Sequence, residues 1–305
     1  MKLGWIEDFL ALIQEGSFSS AARRRHISQP AFSRRIGRLE AWLGVQLVER
    51  HPQGIELTPS AYRFADDMRD LVGSAQKLRN QIRADAFGDT KITLAMQHTL
   101  MITHLPALLQ QLQTHRLANT EALLVKAGNF DQCVGHLNSG QADLMLCFKP
   151  QGDALVPYPA DTHRLCLGQE LFVPVAVPAI SGLLAAQKGH SGLVKLINYP
   201  HDSALGRIVR HYCLSSLLEN YTAETVCESA FTAGIKEMIL QGKGMGWLPK
   251  TLVQRELDAG LLEILDCDLE SAVLDIYIYR NQKNDNPYVA QIWPLFEQYQ
   301  QEFFV

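Results

Sequence analysis

The sequence predicts an α/β protein preceded by a small all-α domain and one long connecting helix, on three observations. About the first sixty residues carry short helical periods punctuated by Gly16, Ser28 and Gly44. A repeat of alternating three- and four-residue apolar steps then runs from Pro59 to about Ala86. From Lys91 onward, strand-like and helical segments alternate to the end of the chain. At 305 residues the chain suits two or three domains. Its 47% hydrophobic and 20% charged content is that of a globular protein with a sizeable core.

The first helix places Trp5, Ile6, Phe9, Leu10 and Ile13 on one face and ends at Gly16. A second short helix, Ser19 to about Arg25, is capped by serine and carries the small residues Ala21 and Ala22 for close packing. After the tight turn "RHI", Ser28 is a good N-cap and Pro30 falls in the first turn, where a missing N–H costs nothing. From Gln29 the apolar positions are Phe32, Ile36, Leu39 and Leu43, leaving Ser33, Arg34 and Arg38 on other faces. "VQLVER" and "GIEL" read as two strands around "HPQG", a hairpin that carries Arg50 and His51.

Charge separates this region from the rest. Residues 16–50 hold seven arginines against Glu40 and Glu49, a net +5, inside a chain of net charge -4. The remainder is therefore strongly acidic, and a local polyanion contact explains the basic cluster better than general membrane adhesion. A short helix, a turn and a longer capped helix form a helix-turn-helix, whose second helix lies in the DNA major groove. That geometry brings Ser28, Gln29, Ser33 and Arg34 toward bases and phosphates; Gln suits adenine and Arg suits guanine. The plainer alternative is an exposed, salt-rich helix pair, but the acids that would neutralise these arginines are nearly absent from residues 16–50.

The stretch "FLALIQEGSFSSAARRRHISQPAFSRRIGRLEAWLGVQLVERHPQGIELTPSA" also resembles the N-terminal domain of LysR-type transcriptional regulators almost throughout. The resemblance implies a winged helix-turn-helix over residues 1–58, with contacts to double-stranded promoter DNA from Ser28, Gln29, Pro30, Ser33, Arg34 and the wing residue Arg50. Arg38, one turn beyond Arg34, joins this candidate set.

Thr58 caps and Pro59 starts the linker helix, 59–86. Ala61, Phe64, Met68, Leu71, Ala75, Leu78 and Ile82 recur at steps of three and four. This heptad seam predicts a two-stranded coiled coil and a homodimer. "AFGDT" (86–90) reads as a hinge. The family resemblance adds a homotetramer, built by further pairing of effector domains.

In residues 91–305 the strand-like segments are "KITLAMQ", "ALLVKAG", "ADLMLCF", "LFVPVAV", "LINY", "AETVCES", "MGWLP", "LLEILD" and "LDIYIYR". Helices are expected at about 100–114, 129–139, 182–189, 204–217, 230–241, 249–258 and from Pro287. Such alternation implies mostly parallel sheets with helices on both faces. Resemblance makes this a periplasmic-binding-protein-like effector domain of two subdomains, 91–160 plus 269–305 and 161–268, with a ligand cleft between them. His98, Thr99 and Leu100 after the first strand, Ser203 in "NYPHDSALGR", and Cys227 and Ser229 in "CESAFTAG" should face that cleft. Helix starts favour a small anion there. Hydroxyls at such positions also serve simply as N-caps. Asp202 and Glu228 would repel an anion and are left out.

Several function classes are excluded. No GxxxxGK[ST], HExxH, GxSxG or paired-Cys metal spacing occurs, and the ten histidines are scattered, so no catalytic residue, metal or cofactor is expected. "GKGMG" (242–246) follows a helix and precedes a strand, the reverse of a dinucleotide fingerprint, and reads as a helix stop plus turn. No apolar run approaches the roughly 18 residues of a membrane span. The N-terminus, with Glu7 and Asp8 and no cleavage site, does not read as a secretory signal. Six cysteines without CxxC favour a reducing cytoplasm. A solute-binding α/β protein with an incidental N-terminal helix pair is the alternative from another class.

A narrower resemblance, in "LINY", "LGR", "GMGWLP" and the "HTL" after the first strand, is to the hypochlorite-responsive branch of the LysR family, which is associated with methionine oxidation. The chain departs from that branch at Leu205 and Phe231, where methionines would be placed, and its first cysteine is Cys133. Met96, Met101, Met145, Met238 and Met245 remain, with Cys147 and Cys227 at strand ends, though core packing explains such residues equally well. The signal therefore reads as an oxidant such as hypochlorite or peroxide, or as a small anion in the cleft.

Overall fold

A computed structural model describes residues 2–51, 54–87, 92–114, 123–150, 162–187, 192–265, 269–282, 284–300 and 303–304. Positions 52–53 of the wing turn, 88–90 of the hinge, the expected subdomain boundary at 160/161 and Cys267 lie outside the described residues. The chain divides into two compact units, Met1–Asp89 with Asn138–Gln141 and Thr90–Leu137 with Ala142–Val305.

The first unit opens with α1 (Leu3–Glu15), α2 (Phe18–Arg24) and α3 (Gln29–Leu43). α2 starts one residue earlier than expected, at Phe18, and the serine that caps it is Ser17, its Oγ accepting the Ser20 N–H at 3.2 Å. His26 turns the chain in the left-handed region at φ 55°, which makes the α2–α3 turn tight. Strands β1 (Val48–His51) and β2 (Gly54–Leu57) pair antiparallel as the expected hairpin. Glu40 on α3 fixes this wing: its Oε1 accepts the N–H groups of Leu47 and Val48 at 2.9 and 3.1 Å. Phe9, Phe32, Ile36 and Leu39 centre the core, with Phe18 edge-on to Phe32 at 5.9 Å. Thr58 caps α4 (Pro59–Phe87), accepting the Ala61 N–H and donating to the Gln46 carbonyl.

The second unit contains β3 (Ile92–Gln97), α5 (His98–Thr103), α6 (Leu105–Thr114), β4 (Leu123–Gly128), α7 (Phe130–Asn138) and β5 (Leu144–Pro150). There follow β6 (Thr162–Ala176), α8 (Pro178–Gln187), β7 (Gly192–Asn198), α9 (Ala204–Ile208), α10 (Leu214–Asn220) and β8 (Tyr221–Glu228). The unit ends with α11 (Thr232–Leu240), β9 (Gly246–Pro249), α12 (Lys250–Asp258), β10 (Glu263–Ile264), β11 (Ala272–Asn281) and α13 (Pro287–Gln298).

The sheet is mixed, not mostly parallel. Its order is β10-β6-β11-β5-β3-β4, with β9 also on β6. Only β3 with β4, β3 with β5, and the separate pair β7–β8 run parallel; β11 and β6 meet all their partners antiparallel. β5 and β6 run in the same direction, and β11, which joins the sheet from late in the sequence, lies between them and runs opposite to both. No local crossover in the sequence announces that insertion. β6 starts just past the expected boundary at 160/161 and is continuous: Thr162–Phe172 pairs with β11, and Phe172–Ala176 with β9 and β10.

Two expected helices differ in detail. The helix expected over 100–114 is interrupted at His104, so that α5 and α6 meet at a corner. The helix expected over 204–217 widens into a π turn at Val209–Cys213 between α9 and α10. The alternate glycines of "GKGMG" do more than stop a helix. Met245 exchanges backbone bonds of 2.9 Å with Lys195 and Ile197 of β7, and a Cβ on Gly244 would stand 2.4 Å from the Lys195 oxygen.

Candidate functional site

The apolar face of α3 is fully spent on the core, which fixes what the opposite face offers. Ser28, Gln29, Pro30, Arg34 and Arg38 are all exposed, and Ser33 is half-buried. Ser28 occupies the N-cap position, but its hydroxyl makes no cap bond. Arg50 lies in β1; its side chain is not among the described groups. On the wing, His51 stands between Glu49 at 3.7 Å and Glu56 at 3.6 Å, pairs that form only when the imidazole is protonated.

The arginines are less free than the charge count suggested. Acids on α1, outside residues 16–50, engage three of them: Glu15 with Arg24 at 2.7 Å, Glu7 with Arg25 at 2.8 Å, and Asp8 with both Arg25 at 2.7 Å and Arg35 at 3.2 Å. Burial opposes the charge on Arg25, but hydrogen bonds to Asp8 and Glu7 outweigh it and raise its pKa. Asp8 is fully buried, so Arg25 and Arg35 bolt α2 and α3 to α1. Arg23, Arg34 and Arg38 have no carboxylate partner among the described residues, so the basic face is narrower and better defined.

Two stripes divide α4. Ala61, Ala65 and Val72 are buried and Met68 is half-buried, and Ala61, Met68 and Val72 belong to the first unit's own core. Phe64, Leu71, Leu78 and Ile82 are exposed, Leu71 at 47% and Leu78 at 57%, with Ala75 half-buried between them. The expected seam therefore splits: Ala61 and Met68 are used internally, and the later members form an outward apolar stripe.

In the second unit the remaining candidates lie at or follow the ends of β3 in the larger sheet and of β7 and β8 in the separate pair. His98 is exposed at the start of α5, and its ring meets Phe231 edge-on at 6.0 Å. Phe231 precedes α11, so this contact joins segments far apart in sequence; no spacing or periodicity could have flagged it. Thr99 is buried, and Leu100 lies wholly in the core. Ser203 caps α9, accepting the Gly206 N–H at 3.0 Å and donating to the Pro200 carbonyl at 2.7 Å. Ser229 accepts the Phe231 N–H at 3.1 Å, and its own N–H reaches Asn198 at 3.0 Å. Both serine hydroxyls are thus engaged in local turns.

Gly206 is required by this turn, because a Cβ there would lie 2.0 Å from the Pro200 oxygen. Gly206→Ala is expected to cost about 1–3 kcal/mol, read as a lowered midpoint in thermal melts.

The oxidisable side chains sort by depth. Met96, Met145 and Met245 are fully buried and Met238 is half-buried, whereas Met101, one turn from His98 on α5, is 41% exposed. Burial pushes the Cys133 and Cys213 thiols up to about 12 and Cys147 higher still, which leaves them unreactive. Cys227 is half-buried at the end of β8. Among the described residues no group of three His, Cys, Asp or Glu side chains could hold a metal, and no helix is long and apolar enough to cross a membrane.

Residues 3–62 match the profile of the bacterial regulatory helix-turn-helix protein, lysR family, and residues 88–300 that of the LysR substrate binding domain. Over 295 residues the chain is 30% identical to the HTH-type transcriptional regulator YjiE of Escherichia coli K12, spanning 95% of this chain and 92% of that protein. The full-length structure of Salmonella typhimurium HypT, a hypochlorite-specific LysR-type transcriptional regulator, is 25% identical, with a TM-score of 0.56 over 98% of each chain. Vibrio fischeri DarR, solved in complex with DNA, is 27% identical, with a TM-score of 0.56 over 98% of this chain and 99% of that one.

Proposed function

Because the chain belongs to the LysR family of bacterial regulatory helix-turn-helix proteins, we propose that α3 reads promoter DNA and that oxidant reaching the effector domain sets occupancy. The protein is a DNA-binding transcriptional regulator and not an enzyme. The exposed face of α3 supports the first part: Gln29, Arg34 and Arg38 project from a helix whose other side is locked into the core, and Pro30 and Ser28 open it. Ser33 and Arg50 complete the contact set. The outward stripe of α4 pairs two chains, which presents two such helices to a pseudo-palindromic site, and dimers associate further into a tetramer. The protein acts in the cytoplasm.

Arg34→Ala is expected to weaken binding to the operator by roughly ten- to a hundred-fold. Salt-dependent shift assays on fragments flanking its own gene test this. Unchanged affinity, or no binding to any fragment, would sink the reading.

The observation that carries the oxidant part is the exposure of Met101 one turn from His98, with Cys227 half-buried near the end of β8. The hypochlorite-specific HypT among the similar structures points the same way. A small anion is less well served, since α5 and α9 are short and the hydroxyls of Ser203 and Ser229 already serve caps. Hypochlorite is expected to change promoter occupancy, with Met101→Leu and Cys227→Ser blunting the change. An unchanged footprint, with no sulfoxide or sulfenic adduct in mass spectra, would count against it.

A further inference from the structure

The most unusual buried group lies away from the cleft, where α5, α6, β6 and α12 converge. His104, at the corner between α5 and α6, and Glu170, on β6, leave only 7% and 2% of their side chains exposed, with His104 Nε2 3.8 Å from Glu170 Oε2. The other carboxyl oxygen, Oε1, accepts the Thr251 N–H of α12 at 3.1 Å. Oε2 has no hydrogen-bond partner.

The hydrogen count around His104 explains why this arrangement needs one more proton. Thr103 Oγ1 lies 2.9 Å from the Thr99 carbonyl and 2.6 Å from His104 Nδ1. A carbonyl only accepts, so the single hydroxyl hydrogen goes to Thr99. Nδ1 must then donate to Thr103, and a neutral ring points a bare lone pair on Nε2 at Glu170. Two acceptors facing each other in a dry site repel, and an ionised carboxylate with one oxygen unpaired is costly there.

We propose that His104 and Glu170 form a one-proton latch, in which a proton on Glu170 Oε2 removes both the repulsion between two opposed acceptors 3.8 Å apart and the cost of a buried, unpaired carboxylate oxygen, and so keeps the α5–α6 corner, β6 and α12 packed together. Release of that proton to solvent as pH rises opens the latch and loosens the effector unit at this point.

Every described group facing the pair fits a neutral site. Phe304 and Phe148 stand edge-on to the His104 ring at 4.8 and 6.3 Å. α12 presents Thr251 and the backbone of Lys250, β6 the backbone of Leu171, and β11 places Leu274 opposite Glu170. Burial lowers the His104 pKa to about 4 and raises that of Glu170, which puts the proton on the carboxyl.

The sign of the pH effect follows. An unfolded chain has Glu near ~4.3 and His near ~6.5, so between these values it also carries one proton on the pair, and the latch adds no slope. Above about pH 6.5 the unfolded pair holds none, so for as long as the folded pair keeps its proton stability falls with rising pH. Below about pH 4.3 the unfolded pair holds two, and stability falls again.

Glu170→Gln tests this directly, because the uncharged amide faces Nε2 with N–H groups and keeps an oxygen for Thr251 at every pH, imitating the protonated carboxyl. In melts of the full chain from about pH 6 to about pH 9, the wild-type midpoint should fall relative to the variant by about 3–5 °C per pH unit for as long as the folded pair keeps its proton, and level off once it is lost. Amide protection in the first turn of α12 should drop with it in the wild type only. A variant that melts lower at all pH values, or with the same slope, overturns the proposal. Nitrogen NMR of the wild-type imidazole supplies a test that needs no substitution. A neutral ring protonated on Nδ1 is expected near pH 7, and a charged ring or a proton on Nε2 overturns it.

Discussion

An Asp8→Ala chain is expected to lose about 3 kcal/mol of stability in its N-terminal domain, and its specific DNA binding with it. The carboxylate is fully buried and takes hydrogen bonds from Arg25 at 2.7 Å and Arg35 at 3.2 Å. Removing it leaves two guanidinium groups aimed at an apolar gap between α1, α2 and α3. Arg25 keeps Glu7, and the two arginine side chains are 31% and 40% exposed, so water recovers part of the loss. For a domain of this size the drop corresponds to a melting shift on the order of 15 °C, visible by calorimetry as an earlier first transition. Asp8→Asn, which retains one acceptor, should fall between. An unshifted first transition would mean that the three helices hold their angle through apolar contacts alone.

Leu71→Glu with Leu78→Glu on α4 is expected to separate the proposed dimer while leaving each chain folded. Both positions are about half exposed in the single chain, so glutamates there face water and disturb no core. Across a two-stranded seam the same changes set like charges into an apolar interface, which coiled coils do not tolerate. Once the halves separate, each recognition helix binds without the effective concentration its partner provides, and affinity for a two-half-site operator should fall on the order of 10²–10⁴-fold. Sedimentation velocity with a shift assay checks both parts. A persistent dimer with undiminished affinity would place the pairing surface elsewhere.

Legibility in the sequence followed how local the deciding physics was. The helices α1 and α3 and the wing are set by periodicity and by Gly16, Ser28 and Gly44, all readable in place. The pairing of Arg25 and Arg35 was not, because Asp8 precedes the stretch in which charges were counted and reaches them only through the packing of α1. The break at His104 was legible but masked by periodicity: Leu100, Leu108 and Leu112 keep a helical period across it, while Pro106 has no N–H to give the Ile102 carbonyl and restricts Leu105. Among the cleft candidates, the serines could be named but not assigned, since a cap and a ligand contact ask for the same hydroxyl at the same helix start. His98 found its neighbour, Phe231, only through the tertiary fold.

The continuity of β6 has a mechanical consequence. Some 50 Å of unbroken strand passes from the β11 ladder into the β9 and β10 ladders, so β6 is one spine shared by all three. Parting these ladders would break backbone bonds, whereas turning them about the strand axis only winds a ribbon that is already twisted. The irregularity opposite Ile276 and Tyr277 is where such a ribbon winds most easily. Strain at one ladder should therefore reach the others as torque.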